Sequence, residues 1–96
     1  MFADMATRID AARLLVWRSA QYLSIGKRVS MEGSMAKYYA ADIAMEVTID
    51  ALQIMGGSGY MRDYPVEKLM RDAKILQIYE GTNQVQRMVI AKELFR

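Results

Sequence analysis

Two short stretches carry the residue types from which chemistry could be built. The first is Glu80-Gly81-Thr82: a carboxylate, a glycine break, and a hydroxyl side chain suited to opening a helix. The backbone N–H of Glu80 and those at the start of the following helix are then available to hold negative charge. A carboxylate beside a small anion hole is what removing a proton next to a carbonyl requires. One group accepts the proton while the donors hold the developing oxyanion. The same spacing also suits a glutamate that does no more than favour a helix N-terminus through the dipole, and spacing alone leans toward that simpler role. The second stretch is Gly56-Gly57-Ser58-Gly59. Glycines allow close approach of a phosphate or a ring and expose N–H groups to anions. This run has neither the Gly-x-Gly-x-x-Gly order after a strand nor a Lys-Ser/Thr pair, so by itself it reads first as a connector.

Composition removes most other chemistries. The 96 residues include no cysteine and no histidine, which excludes disulfide frameworks, thiolate nucleophiles, Ser-His-Asp catalysis and most transition-metal sites. Acid–base work falls to a carboxylate, a lysine or a tyrosine. The formal charge is +2 with both signs interleaved, so the basic stripe expected of a nucleic-acid binder is missing. No run approaches the roughly 20 apolar residues needed to span a bilayer. The start, Met1-Phe2-Ala3-Asp4-Met5, lacks the basic-then-apolar order of a signal peptide, which points to the cytoplasm, or to the mitochondrial matrix in a eukaryote. The apolar share of 53%, including nine methionines, implies a real core and apolar surface left over for a partner.

The elements that must position these stretches are helical. Met5, Ile9, Ala12, Val16, Ala20 and Leu23 recur at helical spacing and predict a helix from about Ala3 to Ile25, stopped by Gly26-Lys27-Arg28. Ser30 is a plausible N-cap for a second helix, in which Met31, Met35, Tyr38, Ala41, Met45, Ile49, Leu52 and Met55 keep the rhythm until Gly56. Residues 56–64 read as a loop. Pro65 restarts structure, and Glu67 to Ile78 predicts a short helix or two joined pieces, with Val66, Leu69, Met70, Ala73 and Leu76 facing in. Gly81 breaks it, and Thr82 caps a last helix that turns Val85, Met88, Val89 and Leu94 inward. Strand patterns are absent. The expected fold is all-α, an antiparallel helical bundle over residues 1–96 with a groove for other domains or another copy. Gln53, Gln77, Gln84 and Gln86 are either surface amides or donors to a heterocycle or ribose, and Trp17, Tyr38 and Tyr39 read as core or interface aromatics without flanking cations.

Three stretches, taken in order and at their spacing, resemble the C-terminal domain of acyl-CoA dehydrogenases: Gln53-Ile54-Met55-Gly56-Gly57-Ser58-Gly59-Tyr60, the run from Tyr64-Pro65-Val66 to Asp72-Ala73-Lys74, and Gln77-Ile78-Tyr79-Glu80-Gly81-Thr82-Asn83-Gln84 with Val85-Gln86-Arg87. Asp63, Lys68 and Asp72 fit that signature as well, and residues before Gln53 fit it more loosely. The resemblance implies a helical bundle that follows an N-terminal helical domain and a middle β domain, with FAD and acyl-CoA between the parts. It implies that Glu80 takes the α-proton of the acyl thioester while the β-hydride passes to the flavin, and that the Glu80 N–H with a flavin ribityl hydroxyl holds the thioester oxygen. A free glutamate, with a pKa of about 4.3, is a poor base, so apolar burial beside the substrate would be needed to raise it.

By the same resemblance, Thr82 and Gln84 touch the dinucleotide part of FAD, Gln53, Gly56 and Gly57 reach the FAD of a neighbouring subunit, and Gly81 lies at the substrate. Electron-transfer flavoprotein is the implied redox partner, and a homo-oligomer the implied assembly. A glutamate before Gly81-Thr82 follows the short- and medium-chain pattern. Asn83 stands where serine or alanine is frequent, a mild departure with no consequence legible at this level. The larger departure is length: the flavin-cradling domains and the first helix of the usual bundle are not among these residues. The chain alone is therefore expected neither to hold FAD firmly nor to turn over substrate, and to self-associate through uncovered apolar surface. A non-catalytic helical interaction module and a separately encoded subunit that completes an active site are the alternatives.

Overall fold

Glycines with left-handed backbones end the two long helices. In the computed structural model, which describes residues 1–96, α1 runs Phe2–Ser24 and α2 Ser30–Met55. After α1, Gly26 takes φ +79°, letting the Gly26 N–H donate to Leu23 O and the Lys27 N–H to Tyr22 O. After α2, Gly56 takes φ +64° and its N–H donates to Leu52 O and Gln53 O. Ser30, expected as an N-cap, is instead the first residue of α2. Val29 holds the cap position because its carbonyl accepts the first helical bond, from the Gly33 N–H at 2.7 Å. The β-branched run Val47-Thr48-Ile49 stays helical, with the Thr48 hydroxyl donating back to Ala44 O at 2.8 Å.

The glycine run forms one 3-10 turn, Gly56–Ser58. Gly59 is buried behind it, where a Cβ would lie 2.7 Å from Leu52 O, so that position requires glycine for close approach to the end of α2. Pro65 precedes α3, Val66–Ala73, which tightens into a 3-10 segment, Lys74–Gln77. The stretch expected as one or two pieces is therefore two. The Arg71 Nε donates to Glu67 Oε2 at 2.7 Å across one turn of α3. That hydrogen bond, with the guanidinium charge adding to it, holds the Glu67 carboxyl below the usual carboxylate range. The last helix, α4, spans Asn83–Leu94 behind the Thr82 cap.

α2 is the central element: α1, α3 and α4 all pack on it. Arg8 near the start of α1 reaches Glu46 and Asp50 near the end of α2 at 3.6 and 3.5 Å. Arg28, just before α2, reaches Glu93 at the end of α4 at 2.8 Å. Both pairings place the neighbours antiparallel to α2. The buried residues are mostly small: Ser34, Ala36 and Ala41 on α2, Ala12 on α1 and Ala73 on α3, with Met5 and Ile43 the larger apolar ones. Small side chains let helix axes approach closely.

The outcome is an open, elongated bundle, 49 × 23 × 21 Å, with a radius of gyration of 15.4 Å. A compact chain of this length would have about 12.5 Å. Only six apolar residues are buried. This corrects the inward faces expected from periodicity. Val16, Ala20 and Leu23 on α1, Leu69 on α3, and Val85, Met88 and Leu94 on α4 are all exposed, Met88 by 70% and Leu23 by 64%. Periodicity groups residues on one helix face, but each outer helix has only α2 against it, and α2 is too narrow to cover the whole stripe. Trp17 is likewise exposed, with the Arg13 guanidinium 5.9 Å from its ring, and Arg87 lies 4.7 Å over Tyr38, so both aromatics do carry flanking cations. No helix is long and apolar enough to cross a membrane.

Candidate functional site

Asn83 has the least exposed side chain in the molecule, at 3%, and it organises the start of α4. Its Nδ2 donates to Tyr38 O at 3.2 Å and to Asp42 Oδ1 at 2.7 Å, and its Oδ1 accepts from Lys37 Nζ at 2.8 Å. Both amide hydrogens and the carbonyl are thus used, which is what burial of an amide demands. Asp42 Oδ1 also accepts from Gln77 Nε2 at 2.8 Å, and Asp42 Oδ2 from Arg87 Nη2 at 3.3 Å. The network therefore ties α2, the 3-10 segment before the site, and α4 to one another.

Immediately before Asn83, the chain makes the turn that carries Glu80. Glu80 takes φ +56°, the only non-glycine residue in the left-handed region, and Gly81 follows at φ +86°. A side chain held there costs about 1–2 kcal/mol, and such strain persists only where neighbouring bonds impose it. Here they do. Gln86 Nε2 donates to Glu80 O at 3.0 Å and to Gly81 O at 3.2 Å, while Lys37 Nζ donates to Gly81 O at 2.8 Å. Gly81 favours glycine through its own positive φ, and a Cβ there would also lie 2.9 Å from Gln86 Nε2 and displace that amide from the carbonyls it holds. With both carbonyls drawn toward α2 and α4, the N–H groups of Glu80, Gly81 and Thr82 are left without a partner in the chain. Thr82 caps α4 as expected, its hydroxyl accepting from the Val85 N–H at 3.2 Å. The Glu80 side chain is exposed.

Two cavities adjoin the turn. One, of about 380 Å³, is apolar, and runs between Lys37, Ala40, Ala41 and Ala44 of α2 and Leu76 and Tyr79. The other, of about 250 Å³, is polar, bounded by Thr82, Gln84, Lys74, Gln77 and Arg87 with Asp42 behind them. Unpaired amides at the head of α4 and two cations make the second a suitable seat for an anionic, hydroxyl-rich group.

Of the residues singled out from the sequence, Glu80, Gly81, Thr82 and Gln84 come together at this end of α4. Gln53, Gly56 and Gly57 do not: they lie at the far end of α2, roughly 27 Å from Lys37 at 1.5 Å of rise per residue. Gln53 is exposed there, and Gly57 has open space where a Cβ would be. Lys37, Asp42 and Asn83 were missed. The available signal was Asp42, a carboxylate one turn beyond Tyr38 on the apolar side of α2, where an unpaired charge would be costly.

The family described as acyl-CoA dehydrogenase, C-terminal domain, matches residues 1–95. A cyclohexane-1-carbonyl-CoA dehydrogenase of Geobacter metallireducens is 53% identical over 96 residues, 100% of this chain and 25% of that protein. The solved butyryl-CoA dehydrogenase of Megasphaera elsdenii superimposes with a TM-score of 0.96 at 52% identity, over 98% of this chain and 24% of that one. A chain solved in work on the electron-transferring flavoprotein of Acidaminococcus fermentans and flavin-based electron bifurcation gives 0.96 at 58% identity, over 98% and 25%. The chain thus spans about a quarter of the length of the relatives it matches.

The network makes Asn83 a stability determinant. Asn83→Ala leaves Lys37 and Asp42 each short of a partner and is expected to cost about 2–3 kcal/mol in urea denaturation. A change within about 0.5 kcal/mol, as for an ordinary surface substitution, would show that the buried amide does not hold α4 to α2.

Proposed function

The chain belongs to the acyl-CoA dehydrogenase family, and from that premise we propose that it forms the C-terminal part of an FAD-dependent enzyme that desaturates acyl-CoA thioesters, with Glu80 as the base. The observation that carries the proposal is the Glu80–Gly81 turn: a carboxylate in a strained, left-handed position, directly beside backbone N–H groups with no partner of their own. Strained backbone held by over-determined bonds is a feature of active sites. The Glu80 carboxylate accepts the proton from the carbon next to the thioester. Its own N–H donates to the thioester oxygen as enolate character develops, and Gly81 leaves room for the substrate. The apolar cavity that ends at Tyr79 supports an acyl-bearing substrate at this place.

Bound FAD would supply the acceptor for the hydride that leaves the β-carbon. The polar cavity fits one segment of such a dinucleotide, with Thr82 and Gln84 as hydrogen-bonding partners and Lys74 and Arg87 as positive charge. Gln53, Gly56 and Gly57, far along α2, suit a flavin held by another copy of the chain; nothing in the chain's own packing requires glycine at position 57. Glu80 is exposed here, and a carboxylate becomes an effective base at neutral pH when apolar cover raises its pKa. The substrate and the flavin-binding domains would provide that cover, and residues 1–96 would be an incomplete C-terminal bundle that neither holds FAD firmly nor turns over alone. An electron-transferring flavoprotein would accept the electrons, and the bacterial relatives support a cytoplasmic location.

Glu80→Gln in the complete flavoenzyme is expected to lower turnover about 10³-fold at unchanged flavin content, within the range for loss of a general base. Turnover within a factor of two of the parent would overturn the assignment, and assembly without activity in the parent would favour a non-catalytic helical module. The exposed faces of α1 and α4 are proposed to be covered by further copies or by the flavin domains. The isolated chain is accordingly expected to show a concentration-dependent mass by light scattering, and a constant monomer mass would contradict this.

A further inference from the structure

Gln86 is neither a surface amide nor free to serve a heterocycle or a ribose. The side chain is half-buried in the first turn of α4, and its Nε2 donates to two successive carbonyls, Glu80 O at 3.0 Å and Gly81 O at 3.2 Å. Gly81 O has a second donor in Lys37, but Glu80 O has no other partner. The N–H of the same peptide, that of Gly81, has none in the chain either. Gln86 therefore supplies the only hydrogen bond to the Glu80–Gly81 peptide. Two converging carbonyls call for a donor with a hydrogen for each, which an amide NH₂ has and a carboxylate of the same shape lacks.

We propose that Gln86 is a positioning residue for α-proton abstraction, holding the Glu80 carboxylate and the Glu80 N–H at the angle that the reaction needs. The inference rests on Glu80 serving as the base and on its own N–H receiving the thioester oxygen. On one side of Glu80, the Tyr79 N–H donates to Ile75 O at 3.0 Å; on the other, the Glu80 carbonyl is tied to Gln86. Held from both sides, Glu80 keeps φ +56°. At positive φ the N–H lies over the α proton and points away from Cβ, whereas at the φ of a helix it lies beside Cβ. Amide and carboxylate then face different atoms of one substrate: the thioester oxygen meets the N–H, and the proton on the adjoining carbon meets the carboxylate. Released from Gln86, Glu80 relaxes toward the negative φ that a residue with a Cβ prefers, and its side chain crowds its own amide. Gln86 is itself held firmly, three residues after the buried Asn83 that fixes α4 on α2.

The test uses the complete flavin-loaded enzyme with Gln86→Met, which keeps the length of the side chain and removes both donors. The expected result is a fall in kcat on the order of 10²-fold, the effect of misplacing reacting groups by about 1 Å, with KM for acyl-CoA within about threefold and flavin content unchanged. A kcat within a factor of two of the parent overturns the proposal. A second readout isolates the amide from the base. A 3-oxoacyl-CoA loses its α-proton to water because two carbonyls share the charge, and its bound enolate is seen by near-ultraviolet absorbance. In the Glu80→Gln background, adding Gln86→Met is expected to lower the enolate-to-keto ratio about tenfold, less than the roughly 10²–10³ for outright loss of an oxyanion donor, because the amide is turned and not removed. Glu80→Gln alone tests the base. An unchanged ratio overturns the role of Gln86 even where Glu80→Gln abolishes turnover, so the two claims fail separately. If Gln86→Met does not load flavin, Gln86→Leu is measured in the same way: a lowered ratio supports the proposal, and a ratio equal to that of Glu80→Gln alone overturns it.

Discussion

A buried amide must have all of its hydrogen bonds made inside the protein, and that requirement on Asn83 governs much of this structure. Its donors are met by Tyr38 O and Asp42, its acceptor by Lys37, and all three belong to α2. The first residue of α4 is thereby fixed on the middle of the longest helix. Register follows: once Asn83 is seated, Thr82 stands at the cap, and the preceding two residues must turn within the distance left to them. The left-handed backbone of Glu80 and Gly81 results from that short span. The same bonds that seat α4 also turn the Glu80 and Gly81 carbonyls inward, and so turn the Gly81 and Thr82 N–H groups of the same peptides the opposite way. Strain of about 1–2 kcal/mol at Glu80 is offset by bonds of which several carry a charge.

The remainder of the bundle is built for assembly more than for self-sufficiency. Its buried residues are mostly alanines and a serine on and against α2, with only Met5 and Ile43 as larger apolar members, while Phe2, Trp17, Met88 and Phe95 lie open to solvent. A seam of that kind positions helices accurately but buries little apolar area, and area is what stabilises. Exposed faces on α1 and α4, opposite the seam, suit a part whose neighbours complete its core. The separation of the glycine turn from Glu80 along α2 agrees with one rigid helix serving two places at once.

Much of the architecture was legible in the sequence, and the reasons differ by element. Gly26 and Gly56 mark the ends of α1 and α2 because left-handed backbone is needed there, and Thr82 marks the start of α4 because a hydroxyl there satisfies a free amide. Which apolar residues are covered was not legible. Val16 and Leu23 obey helical spacing as well as Met5 and Ala12 do, but coverage depends on the width of the opposing helix, and α2 is narrow. Lys37, Asp42 and Asn83 were also out of reach, since their partners lie some forty residues away and a polar residue on a helix reads as solvated until such a partner is known. At Glu80 the sequence supplied the chemical type, and the resemblance of the surrounding motif supplied a role. The backbone conformation that sets this glutamate apart from a dipole-favoured surface carboxylate appeared only in the structure.

The central claim is that the α2 network imposes a left-handed conformation on Glu80, and nuclear magnetic resonance reads that conformation directly. At positive φ the amide and α protons of one residue lie closer together than at any negative φ of a helix or strand. The account predicts a strong intraresidue HN–Hα cross-peak at Glu80 in the parent chain, weakened when Asn83→Ala releases the start of α4. A weak intraresidue peak in the parent, beside a strong one from the Glu80 α proton to the Gly81 amide, would mean an ordinary extended backbone and would contradict it.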